Sequence, residues 1–103
     1  MNKYGNLQTT YNGRVFDSKR EARRFAKLEL MERAGLIQDL RCQVRFELIP
    51  KIGSERAVNY IADFVYTERG KTVVEDAKGC RTDVYRIKRK LMLYRYGITI
   101  KET

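Results

Sequence analysis

Histidine is absent from this sequence, and its absence excludes several kinds of chemistry. Without an imidazole there is no Ser-His-Asp triad, no histidine-ligated zinc and no nuclease with a histidine general base. Any catalysis must therefore use carboxylates, lysine, tyrosine or cysteine. The two cysteines, Cys42 and Cys80, are too few for a zinc cage and are typical of reduced cytosolic thiols.

Long apolar runs are missing as well. No stretch reaches membrane-spanning length, and the polar N-terminus is unlike a signal peptide. We therefore expect a cytoplasmic protein that has no membrane partner. Its 103 residues are the length of one domain, 1–103, in which we expect residues 1–8 to be flexible.

Positive charge is abundant in this chain. Lysine and arginine number 22 against 13 aspartates and glutamates, which gives a net charge of +9. Such an excess favours a polyanionic partner, most often nucleic acid, because each neutralised phosphate releases counterions.

Short local patterns predict an α+β fold. Asn12-Gly13 lies between β-type residues and predicts a hairpin, whereas Ser18 and Glu21 fit the capping box that begins a helix. Gly35 and Gly97 are the expected helix stops. The predicted elements are a hairpin over residues 9–16, helices over 19–34 and 82–96, and strands over 43–49, 58–66, 72–78 and 98–100.

The two predicted helices differ in their polar positions. Glu21 falls on the inward side of the first helix, which is unusual for an acid and calls for a reason. The opposite side of that helix carries a basic stripe, interpreted as a solvated face or a secondary DNA contact: Lys19, Arg20, Arg23, Arg24 and Lys27. The main apolar face of the second helix is predicted to consist of Val84, Ile87, Leu91 and Tyr94, with Tyr85, Met92 and Tyr96 as a secondary flank.

Acidic residues on two neighbouring strands form the candidate site. Asp63 lies within an apolar strand, where a carboxylate is costly to bury without a partner or a metal. Strand alternation places Asp76 and Lys78 on one face, and Glu75 on the other, where it meets solvent or an arginine. An antiparallel pairing would bring Asp63 near Asp76, and a cation such as Mg²⁺ would relieve their repulsion. A plain salt bridge between Asp76 and Lys78 is the alternative.

These motifs resemble the PD-(D/E)XK nuclease superfamily. The closer similarity is to a family of small phage and prophage proteins assigned to that superfamily, and it covers residues 11 to 100. It depends on spaced motifs: residues 16–22, 35–37, 43–44, 60–64 and 75–79, with Thr82, Tyr85 and Lys88. The resemblance implies a restriction-endonuclease-like αβββαβ core, in which a mixed central sheet is flanked by helices and preceded by the hairpin.

The same resemblance implies roles for individual residues. Asp63, Asp76 and Lys78 match the catalytic motif, although Ala62 stands where the superfamily has proline. Asp63, Asp76, the backbone carbonyl of Ala77 and Glu21 would hold Mg²⁺ or Mn²⁺. Glu21 could instead be only the capping acid, with Glu29 as the spare candidate. Gln43 is a weaker site-lining candidate.

DNA is the implied substrate, in the form of a branched duplex such as a Holliday junction cut by a homodimer in the bacterial host cell. The expected phosphate and base contacts are Arg14, Tyr11, Arg81, Arg86, Lys88, Arg89 and Lys90. Tyr11 could either stack on a base or pack within the protein. The alternatives are a non-catalytic DNA-binding phage protein that keeps this fold and, less favoured, an RNA-binding or regulatory phage protein.

Overall fold

The computed structural model describes residues 8–77 and 81–103, within which a small hairpin precedes two helices and a four-stranded sheet. The elements in chain order are β1 (Thr9–Tyr11), β2 (Arg14–Phe16), α1 (Lys19–Arg33), β3 (Gln38–Ile49), β4 (Val58–Glu68), β5 (Lys71–Asp76), α2 (Asp83–Tyr96) and β6 (Lys101–Glu102). The mixed α+β class and the hairpin are confirmed. The expectation of a flexible start falls, for residues 1–7, outside the described ranges.

The sheet has the strand order β3-β4-β5-β6. The first two pairings are antiparallel, and β5 pairs with β6 in parallel. Two apolar cores cover its two faces. The α1 core joins Phe25 and Leu28 to Phe64 and to Phe16 of the hairpin. The α2 core is built from eight buried residues: Leu48, Tyr60, Ala62, Val65, Val74, Tyr85, Met92 and Ile100.

The predicted start and stop residues have the geometry that their types require. Asn12 and Gly13 both have positive φ, at 51° and 77°, as a tight hairpin turn demands. Ser18 Oγ accepts from the backbone N–H of Glu21 at 3.2 Å, and Thr82 caps α2 in the same way. Gly97 has φ 67° and its N–H donates to the Leu93 carbonyl, which ends α2.

The first and last strands of the sheet differ most from the prediction. β3 begins at Gln38, five residues earlier than the predicted start at Gln43. The last strand is Lys101–Glu102, and the prediction of a strand over 98–100 is wrong. Ile98 and Ile100 pack in the α2 core instead. Pairing with β5 begins only at Lys101, which lies opposite Glu75.

Both long strands change the sheet face on which their side chains pack, and they do so at the same level. Leu40 and Cys42 of β3 pack in the α1 core, but Val44 packs in the α2 core. In β4, Ala62 belongs to the α2 core and Phe64 to the α1 core. Val44 pairs with Ala62 and Cys42 with Phe64, so the residues between them, Gln43 and Asp63, occupy the level of this change. Gln43 has φ 54°, a conformation that regular strand residues do not adopt.

The apolar face of α2 was predicted on the wrong side. Tyr85 and Met92, assigned to the secondary flank, are the buried residues of this helix. Val84, Ile87 and Tyr94 are 62%, 60% and 87% exposed. The helix carries two apolar arcs, and Met92, which is fully buried against the sheet, determines which of them packs.

Candidate functional site

Glu21 of α1 and Asp63 of β4 lie close together at the point where β3 and β4 change face. The side-chain amide of Gln43 lies between them and donates to Glu21 Oε1 at 3.1 Å and to Asp63 Oδ1 at 3.4 Å. The unusual φ of Gln43 and the change of face bring this amide to the α1 side of the sheet. The structure therefore brings together three of the residues singled out in the sequence, one each from α1, β3 and β4.

Glu21 is held in a strongly perturbed environment. Its side chain is buried with the residue 5% exposed, although the helix N-terminus to which it belongs is at the surface. Burial, and then the negative charges of Asp63 and Asp17, raise the pKa of Glu21 to about 7. A cation bound beside it would favour the charged form, so the chemistry of this pair fits a divalent metal.

Asp63 also contacts the end of β5. Its Oδ2 accepts a hydrogen bond of 2.8 Å from the backbone N–H of Ala77, the residue that follows that strand. The main chain between Asp76 and Lys78 is thereby tied to Asp63. The Ala77 carbonyl as a metal ligand stays a prediction.

Asp76 is buried on the α2 side of the sheet. It is 1% exposed, and its Oδ2 accepts a 2.6 Å hydrogen bond from the hydroxyl of Tyr60. Burial, followed by this bond, raises the pKa of Tyr60, so the phenol remains the donor. No role was predicted for Tyr60 from the sequence. Its spacing of two residues from Ala62, on the same side of a strand, is the only signal in the sequence that it faces the α2 core.

The predicted metal ligands are close in the fold but do not form a closed cluster. Across residues 8–77 and 81–103, no group of three or more cysteine, aspartate or glutamate side chains has the arrangement of a metal site. Glu21 and Asp63 share Gln43, whereas the hydrogen bond of Asp76 goes to Tyr60. Lys78 and Cys80 lie outside the described residues. The ligand set Glu21, Asp63, Asp76 and Ala77 and the catalytic lysine stay predictions.

An open cavity of about 280 Å³ adjoins the Glu21 side of this group. Its lining includes Glu21, Gln43 and Cys42 from the body of the protein, and Arg14 from the hairpin. The Arg14 guanidinium lies 5.3 Å from the centre of the Phe25 ring, which holds this cation at the cavity rim. Burial raises the pKa of the Cys42 thiol, so it is not an activated nucleophile.

The spare carboxylate, Glu29, anchors the hairpin instead. Glu29 Oε1 accepts hydrogen bonds from the Tyr11 hydroxyl at 3.5 Å and from Asn12 Nδ2 at 3.1 Å. The Tyr11 ring meets Phe25 edge-on at 6.1 Å. Tyr11 therefore packs within the protein, which is one of the two roles considered for it. Of the two acids considered on α1, Glu21 is the one that lies beside Asp63.

Several predicted DNA contacts on and near α2 have partners within the chain. Glu102 binds Arg81 and Arg89, each at 3.1 Å, and also accepts from the Tyr85 hydroxyl. Arg86 pairs with Asp83 at 3.4 Å. The remaining two predicted contacts, Lys88 and Lys90, are half-buried and exposed respectively.

The sequence predicted the environments of Arg24 and Glu75 only in part. Glu75 was expected to meet solvent or an arginine; it is fully buried and paired with Arg24. Arg24 was placed on the solvated stripe of α1, and that prediction is wrong, since its side chain is only 15% exposed. Burial alone would raise the pKa of Glu75, but hydrogen bonds from Arg24 and Tyr66 hold it below its ordinary value.

Comparison with known proteins identifies the family without giving a function. No curated protein and no solved structure shows significant similarity to the chain. Among the described residues, no helix is long and apolar enough to cross a membrane. A family model described as "Protein of unknown function (DUF1064)" matches residues 1–102, and the chain therefore belongs to this family.

Proposed function

We propose that this protein is a metal-dependent DNA endonuclease. The observation that supports the proposal most directly is the meeting of Glu21 and Asp63 across the Gln43 amide, beside the main chain that follows Asp76. A buried acid next to a second acid is costly for a purely structural protein. The same arrangement is useful to an enzyme that needs a divalent cation.

The chain offers oxygen ligands of the kind that Mg²⁺ and Mn²⁺ prefer. Asp63, Asp76, Glu21 and the Ala77 carbonyl would hold the ion. When bound, the metal supplies an activated water and neutralises charge on the scissile phosphate. Gln43 orients the Glu21 and Asp63 carboxylates, and the Ala77 N–H fixes Asp63. Lys78 is proposed to orient the attacking water or stabilise the developing charge.

Charge and position favour DNA as the substrate. The net charge of +9 suits a phosphate backbone held without sequence reading. Arg14 lies at the rim of the cavity that Glu21 lines, where it can meet a phosphate. Branched duplex DNA, a phage or prophage origin and action in the bacterial cytoplasm follow from the superfamily resemblance and belong to the same proposal.

The test is cleavage of defined DNA substrates by the purified full chain. Four-way, flap, linear duplex and single-stranded DNA are incubated with Mg²⁺, Mn²⁺ or EDTA, and the cuts are mapped. We expect cleavage that requires the metal and is lost in Asp63→Asn and Asp76→Asn, with DNA binding retained. Asp39→Asn is the matched control, because Asp39 is exposed at the start of β3 and its φ of 55° suits asparagine.

Two outcomes would contradict the proposal. The first is cleavage that survives in Asp63→Asn and Asp76→Asn at the wild-type rate, which would identify a contaminating nuclease. The second is tight binding of the same substrates with no metal-dependent cutting. That result would favour the non-catalytic DNA-binding alternative.

A further inference from the structure

The side-chain amide of Gln43 occupies the place between the carboxylates of Glu21 and Asp63. A single nitrogen, Nε2, lies 3.1 Å from Glu21 Oε1 and 3.4 Å from Asp63 Oδ1, so its two hydrogens serve two acids. A cation that bridged the same two oxygens would need the same lone pairs and the same space. Rotating the amide would only put its own oxygen at this position, so the side chain has to withdraw before an ion can bind there.

The backbone of Gln43 is held in an unfavourable conformation. Its φ of 54° lies in the left-handed region, which glutamine rarely adopts, and close packing does not explain it, because Gln43 is exposed. Strained residues persist where the surrounding structure holds them, and they are concentrated at functional sites. Here the strained backbone directs the amide towards the two carboxylates.

The neutrality of the amide suits a partner that is later displaced. Two close carboxylates repel each other, and a lysine or arginine between them would form an ion pair and would repel a divalent cation. An amide offers two N–H donors and no net charge, so it relieves part of the repulsion and competes less strongly with a cation. The open cavity of about 280 Å³ that Gln43 lines gives the side chain space into which it can move.

We propose that the Gln43 amide stands in for the metal in the metal-free protein and leaves when the ion binds. It holds the Glu21 and Asp63 carboxylates together until that point. Gln43 is therefore a positioning residue of the metal-free state, and it lowers the affinity of the two acids for metal. This inference deepens the proposed function and rests on its metal site, but it does not depend on DNA cleavage.

Titration of the purified full chain with Mn²⁺, followed by electron paramagnetic resonance of the free ion, measures the affinity. Gln43→Met removes both donors at nearly constant length. Gln43→Asn draws the amide back by one methylene, so that it cannot bridge the acids, and asparagine tolerates the positive φ. We expect both variants to bind Mn²⁺ about tenfold more tightly than the wild type, because the ion no longer displaces a hydrogen bond to a charged group.

Two further variants are controls for the titration. Gln8→Met makes the same substitution at an exposed glutamine before β1 and should bind Mn²⁺ with the affinity of the wild type. Asp63→Asn removes one of the two proposed acidic ligands and should abolish the binding, which identifies the site that the titration reports.

Urea unfolding gives a second measurement. In EDTA, Gln43→Met should unfold at a lower urea concentration than the wild type, because the two carboxylates lose their shared donor. At saturating Mn²⁺ the two proteins should unfold at the same urea concentration, since the amide no longer contributes in either of them.

The outcomes distinguish this inference from the proposed nuclease. Gln43→Asn that binds Mn²⁺ like the wild type, or more weakly, would overturn the inference, and weaker binding would identify the amide as a ligand. Metal-dependent DNA cleavage by the wild type alongside that result would leave the nuclease intact. Tighter binding in the variants without any DNA cleavage would support the inference and contradict the nuclease. A wild type that binds no Mn²⁺, or binding that survives in Asp63→Asn, would overturn the inference as well.

Discussion

The guanidinium of Arg24 holds the carboxylate of Glu75 through two hydrogen bonds of 2.7 and 2.6 Å. One residue comes from the middle of α1 and the other from β5, 51 positions later. Glu75 is fully buried, and the hydroxyl of Tyr66 donates to it as well. This pair fastens α1 to the strand that carries Asp76, and thereby sets where Glu21, one turn earlier on α1, meets the sheet.

Removing the cation of this pair should destabilise the fold strongly. Arg24→Met leaves a buried carboxylate without its partner, and we expect the free energy of unfolding to fall by about 3–5 kcal/mol. Urea denaturation followed by circular dichroism measures the loss. Arg23→Met, at the neighbouring exposed arginine, should change stability by less than about 0.5 kcal/mol. Equal stability of the two variants would contradict a structural role for the pair.

Stability without metal should depend on pH through Glu21. The raised pKa, about 7 against an ordinary 4.5, means that the folded chain keeps a proton that the unfolded chain loses. The contribution of Glu21 to the free energy of unfolding is therefore greatest below pH 4.5 and falls as the pH rises towards 7. Glu21→Gln mimics the protonated form, so in EDTA it should become more stable than the wild type, by up to about 3 kcal/mol at pH 8.

Urea unfolding of both proteins at pH 5 and pH 8 tests this dependence. Glu55→Gln, at an exposed acid in the turn between β3 and β4, should show no such divergence from the wild type. If the gap between Glu21→Gln and the wild type is the same at both pH values, Glu21 has an ordinary pKa and its environment is not as described.

Weakening the hydrogen bonds that Glu29 accepts should make local opening of the hairpin more frequent. Glu29→Gln replaces a charged acceptor of the Tyr11 and Asn12 hydrogen bonds with a neutral one. Bonds to charged groups are the stronger ones, and a loss of about 1.4 kcal/mol corresponds to a tenfold change in opening. We expect hydrogen exchange of the β1 and β2 amides to accelerate about tenfold, with β4 amides unaffected. Glu47→Gln, an exposed acid of β3, should leave the hairpin protection unchanged.

The C-terminus of α2 depends on the left-handed conformation of Gly97. A Cβ added at this position would meet no atom within 4 Å, so the cost of a substitution is purely one of backbone conformation. Gly97→Ala should reduce stability by about 1–2 kcal/mol, and Gly97→Asn by less, because asparagine tolerates positive φ. Thermal unfolding of the two variants measures the difference. An alanine variant as stable as the asparagine one would argue against the capping geometry.

Local chemistry explains what the sequence could predict. Ser18, Thr82 and Gly97 act within one turn of their own position, so their types alone indicate where helices begin and end. The hairpin turn at Asn12-Gly13 is equally local. The approach of Glu21 to Asp63 was predictable only as a resemblance, since 42 positions separate them.

Long-range packing explains what the sequence could not predict. The positive φ of Gln43 interrupts the alternation of β3, and the predicted strand therefore begins only there. The packed face of α2 depends on the pocket that receives Met92, which no periodicity reveals. Arg24 was placed with the solvated arginines because its partner, Glu75, lies in a distant strand.

The change of face at Gln43 and Asp63 puts polar side chains at the border between the two cores. Asp63 stands between Ala62, the last β4 residue before the change, which packs in the α2 core, and Phe64, the first after it, which packs in the α1 core. Asp63 itself is only half-buried, so neither core has to enclose its carboxylate. A polar group can therefore occupy this border without the desolvation cost that the interior of either core would impose.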